Sequence, residues 1–441
     1  MNGNSQAHAV LPARMPAAPR HPLRFFAKTH PPLLALCALN FFMADVTAGL
    51  GPFLGVFLQA QHWTPAEIGL VMTAGGIAGM AVTTPLGALV DGTRRKRTIV
   101  GAAALTITAA MVAILLRPDF VVVTAAQIVS GIAGAAVPPA IAAITLGLVH
   151  QQGFPHQLGR NEASNHSGNV VAAVLAGAAG YVFGLGAVFV VLAIMAACAL
   201  AALVCIDPRE IDHRAARGAA EHDGEGIAAF TVLLRSKPLL VLGVTLTLFH
   251  LGNAAMLPLL GQAAVAKGEG NASAFTGATI VIAQLTMVPV ALFAARLAET
   301  KGYWPVFLIA LIALPVRGLA ASLTGGAWAL VPVQILDGFG AGALGVAVPG
   351  LVARILAGTG HVNAGLGAVM TLQAIGAALS MSVGGVVAEQ FGYAAAFVTL
   401  GAIAVVALLV WLVTRPLMAG PCENQVSKNT SEAVAYSDAA F

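Results

Sequence analysis

Twelve apolar runs of about 20 residues, separated by short polar turns, punctuate this 441-residue chain. A run of that length, coiled as a helix, crosses the hydrocarbon core of a bilayer. The first six cover roughly 33–58, 67–90, 98–116, 120–149, 164–184 and 187–206. The second six cover roughly 238–262, 273–297, 304–322, 327–352, 363–388 and 392–413. The pattern predicts an all-α membrane protein with 12 transmembrane helices. The fourth and tenth runs are long and carry prolines (Pro138 and Pro139; Pro332 and Pro349), so each is expected to bend or protrude.

The pattern also repeats. In the fourth run, Gln127-Ile-Val-Ser130-Gly131 corresponds to Gln334-Ile-Leu-Asp337-Gly338 in the tenth, about 207 residues on. Phe183-Gly184-x-x-Ala187-x-Phe189-Val190 corresponds to Phe391-Gly392-x-x-Ala395-x-Phe397-Val398 in the same way. Phe41 to Asp45 corresponds to Phe249 to Asn253, and Asp91 falls opposite Glu299. Four matches in one order at nearly one offset predict two six-helix bundles related by a pseudo-two-fold, parallel repeat. The expected organisation is a disordered cytoplasmic N-tail (1–32), a first bundle (33–206), a cytoplasmic linker (207–237), a second bundle (238–413) and a cytoplasmic C-tail (414–441).

Composition agrees: 58% of residues are hydrophobic and only 9% charged, against about 25% charged in a soluble domain. A soluble enzyme, a disordered chain and a nucleic-acid partner are all excluded on that ground. Basic residues give sidedness. Nineteen of the 22 fall in the tails and alternate loops of one face, leaving Arg117, Lys267 and Arg317 for the other. The positive-inside rule then puts both termini in the cytoplasm, in a multi-pass protein of the cell (inner) membrane. The 49 glycines let helices approach closely where no hydrophobic force drives them together. The four cysteines have no metal-ligand spacing, and the mixed-charge linker around His213 and His222 reads as solvated chain.

The second loop carries Gly87-Ala-Leu-Val-Asp91-Gly-Thr-Arg94-Arg95-Lys96-Arg97. This resembles the GxxxDxxGRR loop of the major facilitator superfamily, with Arg94 in place of the second glycine. With the twelve spans, long central loop and repeat, the resemblance extends over about residues 30–415. It implies a secondary transporter with a midplane site between the halves. It also assigns the conformational switch to Gly87, Asp91 and Arg95. Gly87 would permit tight helix contact, and Asp91 would cap a helix end or pair with a basic residue. Two features differ from the proton-coupled and antiporter patterns: Gln127 stands where the former has arginine, and the fifth span has no Gly-Pro pair.

Ionisable groups at bilayer depth are costly and mark function by default. Asp45, His250 and Asp337 lie deep in the first, seventh and tenth spans, with Asn253, Gln334 and Gln127 beside or opposite them. The resemblance implies that spans one, four, seven and ten line the central cavity, and each of these carries a deep polar side chain. Asp45 or Asp337 is expected to carry a coupling proton or meet a cationic substrate, with Arg317, near the outer end of span nine, as a partner for Asp337. Glu67 and Glu389 sit at outer helix ends, and Asn161, Glu162, Asn165, His166 and Asn169 cluster at the inner end of span five as interface caps or an inner gate.

The function expected is transport of a small-molecule substrate by alternating access, with protons as the driving ion, by a monomer in the lipid bilayer. No cofactor, resident metal or enzymatic activity is expected. The alternatives are a divalent metal transporter using Asp45, His250, Met256 and Asp337, and a non-transporting receptor.

Overall fold

A computed structural model describes residues 31–48, 50–213, 215–217, 231, 234–268, 271–323, 330–357 and 362–423. The expected N-tail up to residue 30, the linker between 218 and 230, and the chain beyond 423 lie outside the described residues. Twelve helices among the described residues are long and apolar enough to cross a membrane. In the first half, spans one to six are Pro31–Ala60, Pro65–Thr83, Lys96–Leu116, Phe120–His150, Gln157–Phe183 and Ala187–Val204. In the second half, spans seven to twelve are Lys237–Lys267, Ala272–Lys301, Tyr303–Leu323, Leu330–Ile355, Gly365–Phe391 and Tyr393–Val413.

Short polar side chains start several of these helices by satisfying their free N–H groups. Thr64 and Glu67 form a reciprocal capping box at span two: Glu67 Oε2 accepts from the Thr64 N–H at 2.9 Å, and Thr64 Oγ1 accepts from the Glu67 N–H at 3.3 Å. Asp119, Ser236 and Asn271 cap spans four, seven and eight.

Three spans are broken. Span one splits into Pro31–Ala48 and Pro52–Ala60, with Leu50 (φ 67°) and Gly51 (φ 47°) in the left-handed region between them. Span seven splits into Lys237–Asn253 and Met256–Lys267. Span four breaks at Ala136, immediately before Pro138 and Pro139. Span ten runs as one helix from Leu330 to Ile355 with Pro349 inside it.

Each half has its own apolar core, one drawn from Ala35 to Ala216 and the other from Leu239 to Cys422. Two expectations change here. The first residues of the linker are not loose chain: Ile211 and Ala216 are buried in the first core, and the Asp212 N–H donates to the Gly147 carbonyl at 2.9 Å. The first residues of the C-tail form a helix, Arg415–Cys422, whose Met418 and Cys422 join the second core. Apolar side chains at these positions explain both.

The halves meet along spans two and eleven and along spans five and eight. The chain enters span one and leaves span twelve on the same face, called here the terminal face; the seam is tight at the far face. A methyl on Gly69 would collide with the Met381 carbonyl, and one on Gly385 with the Pro65 carbonyl. Thr73 Oγ1 donates to the Ala378 carbonyl at 2.7 Å, and Ser382 Oγ donates to Thr73 Oγ1 at 2.8 Å. Glu389 accepts from the Ala66 N–H at 3.2 Å, so this carboxylate belongs to the seal. Gly177 abuts Gly277, and Gly261 of span seven abuts Val56 of span one. Three buried oxygens in this seal, Gln262 Oε1, Ser273 Oγ and Thr276 Oγ1, have no hydrogen-bond partner among the described residues.

Candidate functional site

Nearer the terminal face the seam parts. Gly79, Met80 and Thr83 of span two and Gly367, Met370 and Thr371 of span eleven line opposite walls of a cavity of about 690 Å³. Span one reaches it through Thr47 and Ala48, at the end of its lower segment, and span four through Gln127 and Ser130. Ile107 and Met111 of span three also line it. Gln127 is thus brought to the cavity as expected of span four. The lining includes nothing from spans seven or ten among the described residues.

The polar residues of the second half converge on one another. Arg317 Nη1 donates to Asp337 Oδ1 at 2.7 Å and to Asn253 Oδ1 at 2.6 Å. The Arg317 side chain is 1% exposed and that of Asp337 16%. Arg317 does not sit at the outer surface, so it is not a marker of sidedness. The neighbouring carboxylate compensates its charge, which is what makes burial of a guanidinium tolerable. Asn253 is the last residue of the lower segment of span seven, so this bond ties the break in span seven to spans nine and ten. Gln334, one turn before Asp337, is fully buried, and both its amide atoms lack partners among the described residues, as do Arg317 Nε and Nη2.

The first half is built differently at matching positions. Asp45 lies three residues before the end of the lower segment of span one, as Asn253 lies at the end of its own. Spans three and nine, Lys96–Leu116 and Tyr303–Leu323, are equal in length and one repeat apart, which sets Ala110 opposite Arg317. Ser130 stands opposite Asp337. Asp45 therefore has no guanidinium where its counterpart has one. Among the described residues it has no hydrogen-bond or ion-pair partner within its half or across the seam. Ser130 Oγ is buried and also without a partner. His250 packs edge-on against Phe249, with ring centroids 5.4 Å apart, and has no hydrogen-bond partner among the described residues.

Among the described residues no three His, Cys, Asp or Glu side chains are grouped to hold an ion, and Asp337 is taken up by Arg317.

The switch loop also differs from expectation. A methyl on Gly87 would meet nothing within 4 Å, so Gly87 provides no close helix contact; Gly75 and Gly79 do, against the Gln127 and Gly131 carbonyls of span four. The seam is parted at this end, which leaves Gly87 open. The Asp91 side chain lies outside the described residues. Arg95 is exposed and its N–H bonds to Thr93 Oγ1 at 3.1 Å. The inward-pointing base is Lys96, fully buried, whose Nζ donates to the carbonyls of Val90 at 3.0 Å and Thr93 at 2.8 Å. Arg97 reaches the last carbonyls of span six, Leu203 at 3.1 Å and Val204 at 3.3 Å. Both act at helix C-termini, where a cation meets unsatisfied carbonyls. At the inner end of span five, Gln157, Asn161 and Thr145 form a buried hydrogen-bonded chain of 2.9 Å links that joins spans four and five.

Comparison with known proteins agrees with this architecture. The Major Facilitator Superfamily model matches residues 34–315 and 270–435. MFS-type transporters from two strains of Mycobacterium tuberculosis are each 45% identical to this chain over 386 residues, covering 87% of it and 92% of theirs. A crystal structure of a variant of the nucleoside transporter NupG superposes with a TM-score of 0.73 at 13% identity, covering 86% of this chain and 99% of that one. A bacterial homolog of the human lysosomal transporter Spinster, in an inward-facing and occupied conformation, gives 0.70 at 14% identity, covering 89% and 99%. At those identities the two structures share a fold with this chain.

Proposed function

Given that the chain belongs to the Major Facilitator Superfamily and is a multi-pass membrane transporter, not an enzyme, we propose that it moves a small solute by proton-coupled alternating access, with Asp45 as the coupling group. The observation that carries this reading is the asymmetry of the repeat. In the second half Arg317 neutralises Asp337; the first half has Ala110 where Arg317 stands, and Asp45, which stands where the second half has Asn253, has no counter-charge among the described residues. A carboxylate at bilayer depth cannot hold its charge without compensation. Asp45 also sits in the last turn of a helix segment, next to the partial negative charge of its terminal carbonyls. A proton is the smallest compensating partner, and the cavity beside Thr47 and Ala48 gives it a route.

In this reading both termini are cytoplasmic, the membrane is the cell (inner) membrane, and the parted seam is an inward-facing state of a monomer. The two halves rock about the site, and the far-face seal opens as the terminal-face cavity closes. Gln334 serves the second half as a buried packing group one turn from Asp337, and half-buried His250 packs against Phe249.

The test is a solute screen in proteoliposomes, with and without an imposed pH gradient, for the native protein and Asp45→Asn. Gradient-driven uptake of at least one solute is expected in the native protein. It should fall at least about tenfold in Asp45→Asn, the equivalent of roughly 1.4 kcal/mol. Insertion and monodispersity should be unchanged. Native-level, gradient-driven flux in Asp45→Asn would sink the proposal.

A further inference from the structure

The cavity that opens between the halves is asymmetric, and its chemistry narrows what it can hold. We propose that the crevice walled by spans two, four and eleven is the solute site, and that it takes a neutral, mainly apolar solute carrying one or two hydrogen-bonding groups. This rests on the transporter reading above and deepens it. The site expected from the repeat is shared by spans one, four, seven and ten. The observed cavity instead uses the first half and span eleven, and leaves the second half's ion pair out of the lining.

Three observations lead to the solute class. First, among the described residues the lining contains no Lys, Arg, His, Asp or Glu. A carboxylate, phosphate or sulfonate would find no cation there, and a fixed cation would find no carboxylate in the wall, so an ionic solute would lose its hydration without replacement. Second, most polar atoms in the wall are already engaged. Thr47 Oγ1 donates to the Met43 carbonyl at 2.8 Å, Thr83 Oγ1 to Gly79 at 2.9 Å, and Thr371 Oγ1 to Gly367 at 2.9 Å. Their single hydroxyl protons are used within their own helices. Gln127, on span four, is different: its amide makes no hydrogen bond among the described residues, so it offers a donor and an acceptor on one wall. Third, the remaining surface is apolar and adaptable, with Met80 and Met370 on facing spans. Unbranched thioethers re-pack around varied apolar shapes. At about 690 Å³ the space lies within the range that encloses a small organic molecule.

Two glycines make the site testable without breaking the fold. A methyl on Gly134, in span four, or on Gly367, in span eleven, would meet nothing within 4 Å, although both line the cavity. A large side chain at either one projects into the cavity from opposite walls. Gly131 is unsuitable, because its methyl would collide with the Gly75 carbonyl.

The experiment measures saturable binding of three matched fluorescent probes to the purified protein in nanodiscs: naphthylacetamide, naphthylacetate and naphthylmethyl-trimethylammonium. The amide should bind at least about tenfold more tightly than either ion. Its binding should be lost in Gly134→Phe and in Gly367→Phe, each checked for native elution and melting. If one plug variant fails to fold, the other decides. Gln127→Ala should weaken the amide several-fold. Preference for either ion, absence of saturable amide binding, or full binding in a folded plug variant would overturn the proposal. The coupling role of Asp45 is read from gradient-driven flux and not from probe binding, so a failure of this proposal is distinguishable from a failure of that one.

Discussion

Asp45, Ala110 and Ser130 of the first half stand where Asn253, Arg317 and Asp337 stand in the second. The helices around them correspond, although the break in span one passes through the left-handed region, that in span seven does not, and only span four is interrupted. Both lower segments end at this level in spans one and seven, and the turns before spans six and twelve use glycines of matching geometry, Gly184 at φ 85°, ψ 165° and Gly392 at φ 85°, ψ 163°. What differs is the side-chain electrostatics. In the second half a guanidinium joins three helices and is compensated on the spot. In the first, the guanidinium is replaced by a methyl and the carboxylate moves to the helix break. A repeat of this kind allows one half to act as a clamped frame and the other to respond to charge.

The strongest way to break that comparison is Arg317→Ala. It strips the compensation from buried Asp337 and should lower stability by about 3–5 kcal/mol, read as a fall in the melting temperature of the detergent-solubilised protein. Combining it with Asp337→Ser installs the first half's own residues and should recover most of the loss, because no lone charge is then buried. If the single variant melts like the native protein, the clamp has no energetic weight.

The shared backbone predicts an equality. Gly184 and Gly392 occupy a region of φ and ψ that side chains avoid, and a methyl on either meets nothing within 4 Å. Gly184→Ala and Gly392→Ala should therefore each cost about 1–3 kcal/mol by backbone strain alone, and by similar amounts. Unequal melting shifts would show that the halves differ in their turns as well as in their charges.

The smallest effect concerns the terminal-face ends of the halves. Cys205, at the end of span six, is exposed, while Cys422, the last residue of the helix that follows span twelve, is buried in the second core. Burial pushes the Cys422 thiol up to about 12, against the smaller opposing pull of Arg354. A raised value keeps the group protonated below it, and the thiolate is the reactive form. A water-soluble maleimide should therefore modify Cys205 and leave Cys422 intact from about pH 7 to about pH 9, as mass spectrometry of the folded protein would show. Rapid labelling of Cys422 would mean that the terminal helix is undocked.

Much of the fold was legible because bilayer length and the repeat are both written in the order of residues. The deep positions of Asp45, His250 and Asp337 followed from counting along helices. Arg317 could be named as a partner for Asp337, but its burial and its second bond, to Asn253, could not, since they depend on which helices touch. Gly87 was read as a contact because glycine usually signals close approach, yet approach depends on the conformational state, and here the seam is parted beside it. The signal for the break in span one was present as Gly51-Pro52 at mid-run. In span seven the nearest proline, Pro258, lies beyond the break, within the upper segment. The cavity's off-axis position could not be read from the repeat, because it comes from a difference between the halves.

The far-face seal has an energetic consequence of its own. Gln262 Oε1, Ser273 Oγ and Thr276 Oγ1 are shut away from water without replacement bonds among the described residues, and a stranded polar atom costs about 1–3 kcal/mol. Tight glycine packing supplies the opposing attraction, and dispersion between backbones falls away within an ångström of separation. The seal thus behaves as a loaded spring held by short-range adhesion. In the proposed rocking motion, a slip of the seal would let water reach the three oxygens and favour further parting, so the motion would tend to be all-or-none.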